Sequence, residues 1–404
     1  MLRIVVILIM LYQGLYAFLA SGNNYQKQAQ ALRSFDIHTS FLKDSIFLSM
    51  KEGMDEYKTK HFLQILENGY RFVPFLRKMI RESGIPDGFL YMAMVESNFK
   101  ATAYSSAKAS GLWQFMPYTA KLYGLQIDDY VDERRDPIKS TEAAIKYIKN
   151  LYSMFGKWYL VAIAYNCGEG ALKKAIAKAG TDNLNVLLDE KQKYIPKESR
   201  HFVRKIVTME YLSNNSDLML ENESEHFLNR GSSFTFLKVN VQAGASLEDI
   251  AQSIGVSLKE LRSYNVHLKY SFVPPYGKDN YIYIPYDKQV VFAQKFDVTK
   301  DVGKYFVHTV KHKESLATIA KKYGVSLNDI KEQNDIKTMS LRPNTKLIVP
   351  VLSKKAQNHT VKNGDTVESI SKKYNISIAD LRKLNSKIGS HLKAGDSIVI
   401  AKIY

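Results

Sequence analysis

At 404 residues, 45% hydrophobic, 24% charged and 12% aromatic, the chain is long enough for two to four folded units and too apolar to be a disordered one. Lys and Arg number 57 against 40 Asp and Glu, and the resulting +17 favours polyanionic partners: nucleic acid, anionic lipid or an acidic polysaccharide. Cys167 is the only cysteine, which excludes an intramolecular disulfide framework and leaves stability to apolar cores.

In chain order, Arg3 is followed by an apolar run from Ile4 to about Ala20, and Ala20-Ser21-Gly22 offers small residues for cleavage. Residues 1–22 therefore read as a secretory signal or, if retained, as an N-terminal anchor that associates with the membrane. Export places the protein outside the cytoplasm and argues against nucleic acid as its partner. Residues 23–75 read as a helical extension, and 76–230 as a larger helical domain punctuated by Gly and Pro.

Within that domain, Pro86 near a helix start precedes the run Phe89-Leu90-Tyr91-Met92-Ala93-Met94-Val95-Glu96. A carboxylate ending an apolar, buried helix is costly unless paired, protonated or used. Burial and the negative end of the helix dipole would both raise the pKa of Glu96, as a general acid requires; the plain alternative is a Glu turned to solvent at a frayed helix end. After a loop comes Gly111-Leu112-Trp113-Gln114-Phe115-Met116-Pro117, then a short helix from about Tyr118 to Tyr123. Asp136-Pro137 with Thr141-Glu142 reads as a capped helix start, and Leu160–Ala164 runs into the glycine-flanked turn Tyr165-Asn166-Cys167-Gly168-Glu169-Gly170. Trp113 reads as core. Cys167 beside His201 lacks an organising third residue and reads as a small buried thiol. The nine histidines form no clustered ligand set, so no metal and no cofactor are expected. Glu169 and Asp128-Asp129 are candidate second carboxylates, with Glu169 better suited to a helix start.

The ordered motifs ES, GLWQFMP, AYNCGEG and KESRHFV resemble the soluble lytic transglycosylase family, with its goose-type lysozyme-like fold, over about residues 75–210. The resemblance implies one catalytic carboxylate, Glu96, acting on the bond from N-acetylmuramic acid to N-acetylglucosamine in peptidoglycan glycan strands. It would protonate the linking oxygen and then accept the proton of the muramic acid 6-hydroxyl, leaving a 1,6-anhydro end. It further implies that Ser105, Gln114, Met116, Tyr165 and Asn166 line the glycan groove, with Phe115 as apolar wall. Three positions depart from the family: Lys108 stands where Gly is frequent, Cys167 where Ala is usual, and Phe202 where a Tyr is common. That Tyr restrains the catalytic carboxylate in the family, so Tyr194 and Tyr165 are the candidate substitutes.

The C-terminal third repeats itself. Val361–Asp380 matches Val310–Asp329 column for column, and Val241–Glu260 is a weaker copy. Leu247, Leu316 and Val367 share a column, as do Asn265, Asn334 and Asn385. Helical spacing, a Gly or Asn stop at Gly255, Gly324 and Asn375, a second short helix (Leu258–Tyr264, Leu327–Gln333, Ile378–Leu384) and a closing apolar alternation make each copy strand, helix, helix, strand. This resembles the LysM module, a binder of N-acetylglucosamine-containing glycans, at 305–351 and 358–402. The implied glycan contacts are Gly364, Asp365, Thr366, Asn334 and Asn385. The copy at 236–286 is degenerate, with Gly244-Ala245-Ser246 in place of Gly364-Asp365-Thr366 and an inserted Pro274-Pro275-Tyr276-Gly277, and is either a weak sugar binder or a spacer. Residues 231–404 hold 27 Lys and Arg against 15 Asp and Glu, so most of the basic character lies in the repeats, as a solvated surface or a charge complement.

The expected fold class is α+β, an all-helical lysozyme-like catalytic domain followed by small βααβ modules, and the layout resembles the membrane-bound lytic transglycosylase D group. Two alternatives to a transglycosylase remain: a goose-type muramidase that admits water, and a noncatalytic peptidoglycan-binding scaffold.

Overall fold

A computed structural model describes residues 25–52, 56–214, 219, 222–227, 235–275, 279–296, 305–334, 336, 341–350, 357–374, 376, 378, 381–382, 385 and 392–400. The signal or anchor at 1–22, the stop at Asn375 and most of the second helix at Ile378–Leu384 lie outside them. Among the described residues no helix is long and apolar enough to cross a membrane.

The chain divides into two compact units, the first comprising Met1–Leu237, Arg262–Lys269 and Tyr283–Gln289, the second Lys238–Leu261, Tyr270–Ile282 and Val290–Tyr404. The first unit is helical: α1 (Ser45–Glu52), α2 (Glu56–Gly69), α3 (Val73–Glu82), α4 (Leu90–Ser97), α5 (Pro117–Leu122), α6 (Pro137–Phe155), α7 (Trp158–Cys167), α8 (Glu169–Ala179), α9 (Leu184–Leu187) and α10 (Lys197–Ser213). At the centre, α7 packs between α6 and α10, and α10 also contacts α4 and α1. Composition explains this: Tyr159 to Ala164 of α7 and Leu90 to Met94 of α4 are buried all round, so neither helix has a wet face. The α4 helix is preceded by a 3-10 turn, Asp87–Phe89, capped by Pro86. As the sequence indicates, Asp136 caps α6, its carboxylate accepting from the backbone N–H of Ile138 and Lys139 (2.9 and 3.0 Å). The long α10 is pinned by Arg204, which donates twice to Asp44 (3.0 and 2.8 Å).

Three two-stranded sheets follow, β1 (Phe236–Asn240) with β2 (Tyr281–Pro285), β3 (Tyr305–Thr309) with β4 (Lys346–Pro350), and β5 (Gln357–Thr360) with β6 (Ser397–Ile400). Between the strands lie α11 (Leu247–Ile254) and α12 (Leu258–Tyr264) in the first module, α14 (Leu316–Tyr323) and α15 (Leu327–Gln333) in the second, and α16 (Val367–Tyr374) in the third; α13 (Gln289–Lys295) follows the first module. In the second module β3 and β4 are antiparallel with Val307 opposite Ile348, and in the third His359 faces Ile398. Gly255 and Gly324 end their helices at φ +71° and +66°, the left-handed stop expected of that column. Each later module has a small core, Leu316, Ile319, Ile330, Leu347 and Val349 in one and Val367, Ile370, Leu381 and Ile398 in the other.

Candidate active site

Glu96 occupies the last turn of α4, half-buried, and the helix stops two residues later because Asn98 turns left-handed (φ 52°). Phe99 follows in the same conformation (φ 54°), and Lys108 and Gln114 repeat it (φ 70° and 45°). Nine non-glycine residues among those described have positive φ, and four of them crowd into 98–114, so backbone strain is concentrated around this carboxyl. The value at Lys108 is one that a glycine would adopt without a side-chain clash.

Ser97 fastens the helix end to the next motif: its hydroxyl lies 2.9 Å from the carbonyls of both Ala93 and Leu112. The motif loop is held from the other side by Arg134, whose guanidinium forks onto Asp132 (2.9 and 2.8 Å) and donates to the carbonyls of Lys108 (2.7 Å) and Phe115 (3.0 Å). Gly111 makes that approach possible: at φ +83°, any Cβ there would stand 1.7 Å from the Arg134 carbonyl oxygen. Trp113 is core, as expected, with its indole N–H donating to Thr141 Oγ1 of α6 (2.8 Å).

The side chains expected to line the groove are each accounted for. Gln114 Nε2 donates to the carbonyl of Gly111 (2.8 Å), which leaves its Oε1 as the free acceptor. Asn166 shows the reverse polarity: its Oδ1 accepts from the Ser199 hydroxyl (2.6 Å), so Nδ2 remains as donor. Tyr165 donates to the carbonyl of Trp113 (2.8 Å) and lies among Tyr147 and Phe115, whose ring centroids are 5.2 and 6.4 Å away. Met116 is exposed (45%) beside buried Phe115. Ser105 is half-buried, and its hydroxyl accepts from the Ala109 N–H (3.0 Å), bracing the loop.

Burial, and secondarily the negative charge of Glu198, push the Glu96 carboxyl up to about 7. Glu198, in the first turn of α10, is thus the charged neighbour that sequence reading missed; the candidates named there do other work. Glu169 opens α8, and Asp128 accepts the N–H groups of Tyr130 and Val131 in a turn. Tyr165 is raised well above its ordinary value by burial and by Glu96, which places the two groups within electrostatic reach. Among the described residues neither proposed substitute, Tyr165 or Tyr194, hydrogen-bonds the Glu96 carboxyl; the Tyr165 hydroxyl donates to the Trp113 carbonyl. Phe202 is buried (4%), and among the described residues no side-chain hydrogen bond reaches the Glu96 carboxyl. Burial pushes the Cys167 thiol above its ordinary value.

In the repeats, three of the expected glycan contacts make hydrogen bonds within the module. Asn334 donates to the carbonyls of Ile330 and Ile348 and accepts from the Ile348 N–H, all at 2.7 Å, so its amide is spent on closing the fold. Asn385 donates to the Leu381 carbonyl (2.8 Å). Asp365 sits 2.7 Å from His359 Nε2 and accepts from the Lys362 N–H, while His359 Nδ1 meets the Tyr374 hydroxyl at 2.9 Å. The asparagine column recurs in all three copies, as Asn265, Asn334 and Asn385, and so can serve the architecture they share. Gly364 (φ +90°) and Thr366, which caps α16 through Ser369, stay on the exposed rim.

A transglycosylase SLT domain model matches residues 75–187, a lytic transglycosylase MltD LysM-like domain model matches 235–300, and the LysM domain model matches 308–350 and 359–401. The chain is similar to the membrane-bound lytic murein transglycosylase D of Escherichia coli (strain K12), 26% identical over 350 residues that cover 81% of this chain and 76% of that protein. It is also similar to the membrane-bound lytic murein transglycosylase C of Haemophilus ducreyi, 30% identical over 129 residues, 28% of this chain and 35% of that one. A solved structure, the 70 kDa soluble lytic transglycosylase of Escherichia coli, aligns over 39% of this chain and 26% of its own with 21% identity and a TM-score of 0.29. The chain thus carries a transglycosylase SLT domain, followed by a LysM-like domain of the lytic transglycosylase MltD kind and two LysM domains.

Proposed function

We propose that this protein is a peptidoglycan lytic transglycosylase of the bacterial cell envelope, with Glu96 as its single proton-transfer group and the two LysM modules retaining it on glycan. The observation that carries the reading is the half-buried Glu96 carboxyl, pushed up to about 7 at the end of an apolar helix and within electrostatic reach of Tyr165. A group with that value is protonated often enough to donate and becomes basic enough to accept at neutral pH. Protonated Glu96 donates to the oxygen between N-acetylmuramic acid and N-acetylglucosamine as the C1–O bond breaks. Its carboxylate then takes the proton of the muramic acid 6-hydroxyl while O6 bonds to C1. The products are a 1,6-anhydro end and a free 4-hydroxyl, with no water consumed. The 6-hydroxyl is already attached to the reacting sugar, so proximity stands in for a second carboxylate. Asn166 Nδ2 and Gln114 Oε1, one donor and one acceptor, match the C=O and N–H of an acetamido group.

One observation favours a second reading. Glu198 lies close enough to raise Glu96, and a carboxylate in that place could activate water, as a muramidase requires. Digestion of purified murein followed by mass spectrometry separates the two. Anhydro ends from the wild type, with at least about 10²-fold loss in Glu96→Gln, are expected; reducing muramic acid ends carrying solvent oxygen would transfer the protein to the muramidases. Glu96→Gln should still sediment with sacculi.

A further inference from the structure

The segments 262–269 and 283–289 of the first repeat fall in the catalytic unit, and their contacts there are polar, buried and specific. Tyr283, at the centre of β2 and 2% exposed, donates its hydroxyl to the carboxylate of Asp136 (3.0 and 3.1 Å), itself wholly buried. The imidazole of His267 lies 3.9 Å from the same carboxylate. Asn265 sets this arrangement, because its amide clasps the backbone N–H and C=O of Tyr283 (2.8 and 2.7 Å). Alongside, residues 267–269 pair with the loop before α6: the Asp132 N–H donates to the His267 carbonyl (2.9 Å), the Lys269 N–H to the Tyr130 carbonyl (2.8 Å), and Val131 bridges Leu268.

Both targets lead to the groove. Asp136 starts α6, whose Thr141 holds the Trp113 indole, and the Trp113 carbonyl receives the Tyr165 hydroxyl. Asp132 orients Arg134, which holds the carbonyls of Lys108 and Phe115 on either side of the motif loop. The Arg134 carbonyl in turn touches Gly111, so the loop has no room to drift toward it. Each link is a hydrogen bond or a steric stop between buried or part-buried groups, and such groups are costly to leave unmatched.

We propose that Tyr283 and residues 265–269 of the LysM-like module are positioning residues of the catalytic groove, fixing Asp136 and the 127–135 loop so that Gln114 and Tyr165 are held in register with Glu96. The repeat has exchanged the recognition role of its siblings for a structural one inside the enzyme. This rests on the transglycosylase reading for its kinetic consequence only; the mechanical part stands apart from it.

The test uses the full-length protein with Tyr283→Phe, which deletes one hydroxyl, and with Tyr286→Phe on the exposed 3-10 turn that follows, as a control. Turnover of a soluble murein oligosaccharide is expected to fall about tenfold in kcat with KM changed less than about twofold, because binding groups are intact and only alignment is loosened. Hydrogen exchange at residues 108–116 should quicken in Tyr283→Phe and not in the control. A second variant, Thr141→Val, breaks the route further along, and combining it with Tyr283→Phe should give less than the product of the two kcat losses. Unchanged exchange at 108–116 with kcat within twofold of wild type in Tyr283→Phe would overturn the proposal, as would fully multiplicative losses. If the wild type is inert on murein, the function reading fails while the exchange measurement still decides this one.

Discussion

The first repeat and the two that follow share a βααβ plan and finish it with opposite chemistry. In the second module His308 meets Glu314 (2.7 Å) and the Tyr323 hydroxyl (2.8 Å), and the third repeats this with His359, Asp365 and Tyr374. The same columns of the first module hold Val239, Ala245 and Ile254, all incapable of such a clasp. The later modules each close around a core of their own and tie strand to helix with a polar triad. In the first, the polar investment has moved outward, to Tyr283 and Asp136. A repeat that leans on a neighbour can abandon its own fastenings, and one that must bind alone keeps them.

The largest effect that sharpens this contrast is thermodynamic. Glu96 has a folded pKa of about 7 against 4.5 for the free group, so its contribution is fully present below 4.5 and is lost as pH rises to about 7. Glu96→Gln should therefore stabilise the catalytic unit by about 3 kcal/mol at pH 8, with the gain vanishing near pH 4. Calorimetry should show the shift in one transition, with the transition of the later modules unmoved; equal gains at both pH values would discard the buried-acid assignment.

Next come the two clasping asparagines, where the comparison can be broken outright. Asn265→Ala and Asn334→Ala each strand a backbone N–H and C=O and should cost about 1–3 kcal/mol. The first should reduce kcat on a soluble glycan and leave sacculus sedimentation alone, whereas the second should do the reverse. Identical phenotypes would erase the distinction between the modules.

The smallest effect concerns Glu198. Removing its charge in Glu198→Gln lowers the Glu96 pKa, so the alkaline limb of kcat/KM should move to lower pH by less than a unit while the plateau rate is kept, because burial, the larger cause, persists. A collapsed plateau would instead give Glu198 a direct part in the chemistry.

Much of this was legible in the sequence because it is local. The apolar run ending at Glu96, the Asp136-Pro137 cap and the glycine stops at Gly255 and Gly324 are written in adjacent residues, and the structure has them in place. What stayed hidden depends on distance along the chain. Ser199 orienting Asn166, Arg134 holding the motif loop and Glu198 charging the site join positions 26 to 102 residues apart, and nothing in the surrounding pattern marks them. The Asn334 column was hard to read for a different reason: recurrence shows that a residue is needed, but only geometry shows that its amide closes on the Ile348 backbone.

The place left without a hydroxyl at Phe202 carries one more consequence. Among the described residues no side-chain hydrogen bond fixes the Glu96 carboxyl, so its torsions are limited by packing alone. In the reaction proposed above, that freedom would let the one carboxyl reach first the departing oxygen and then the arriving one.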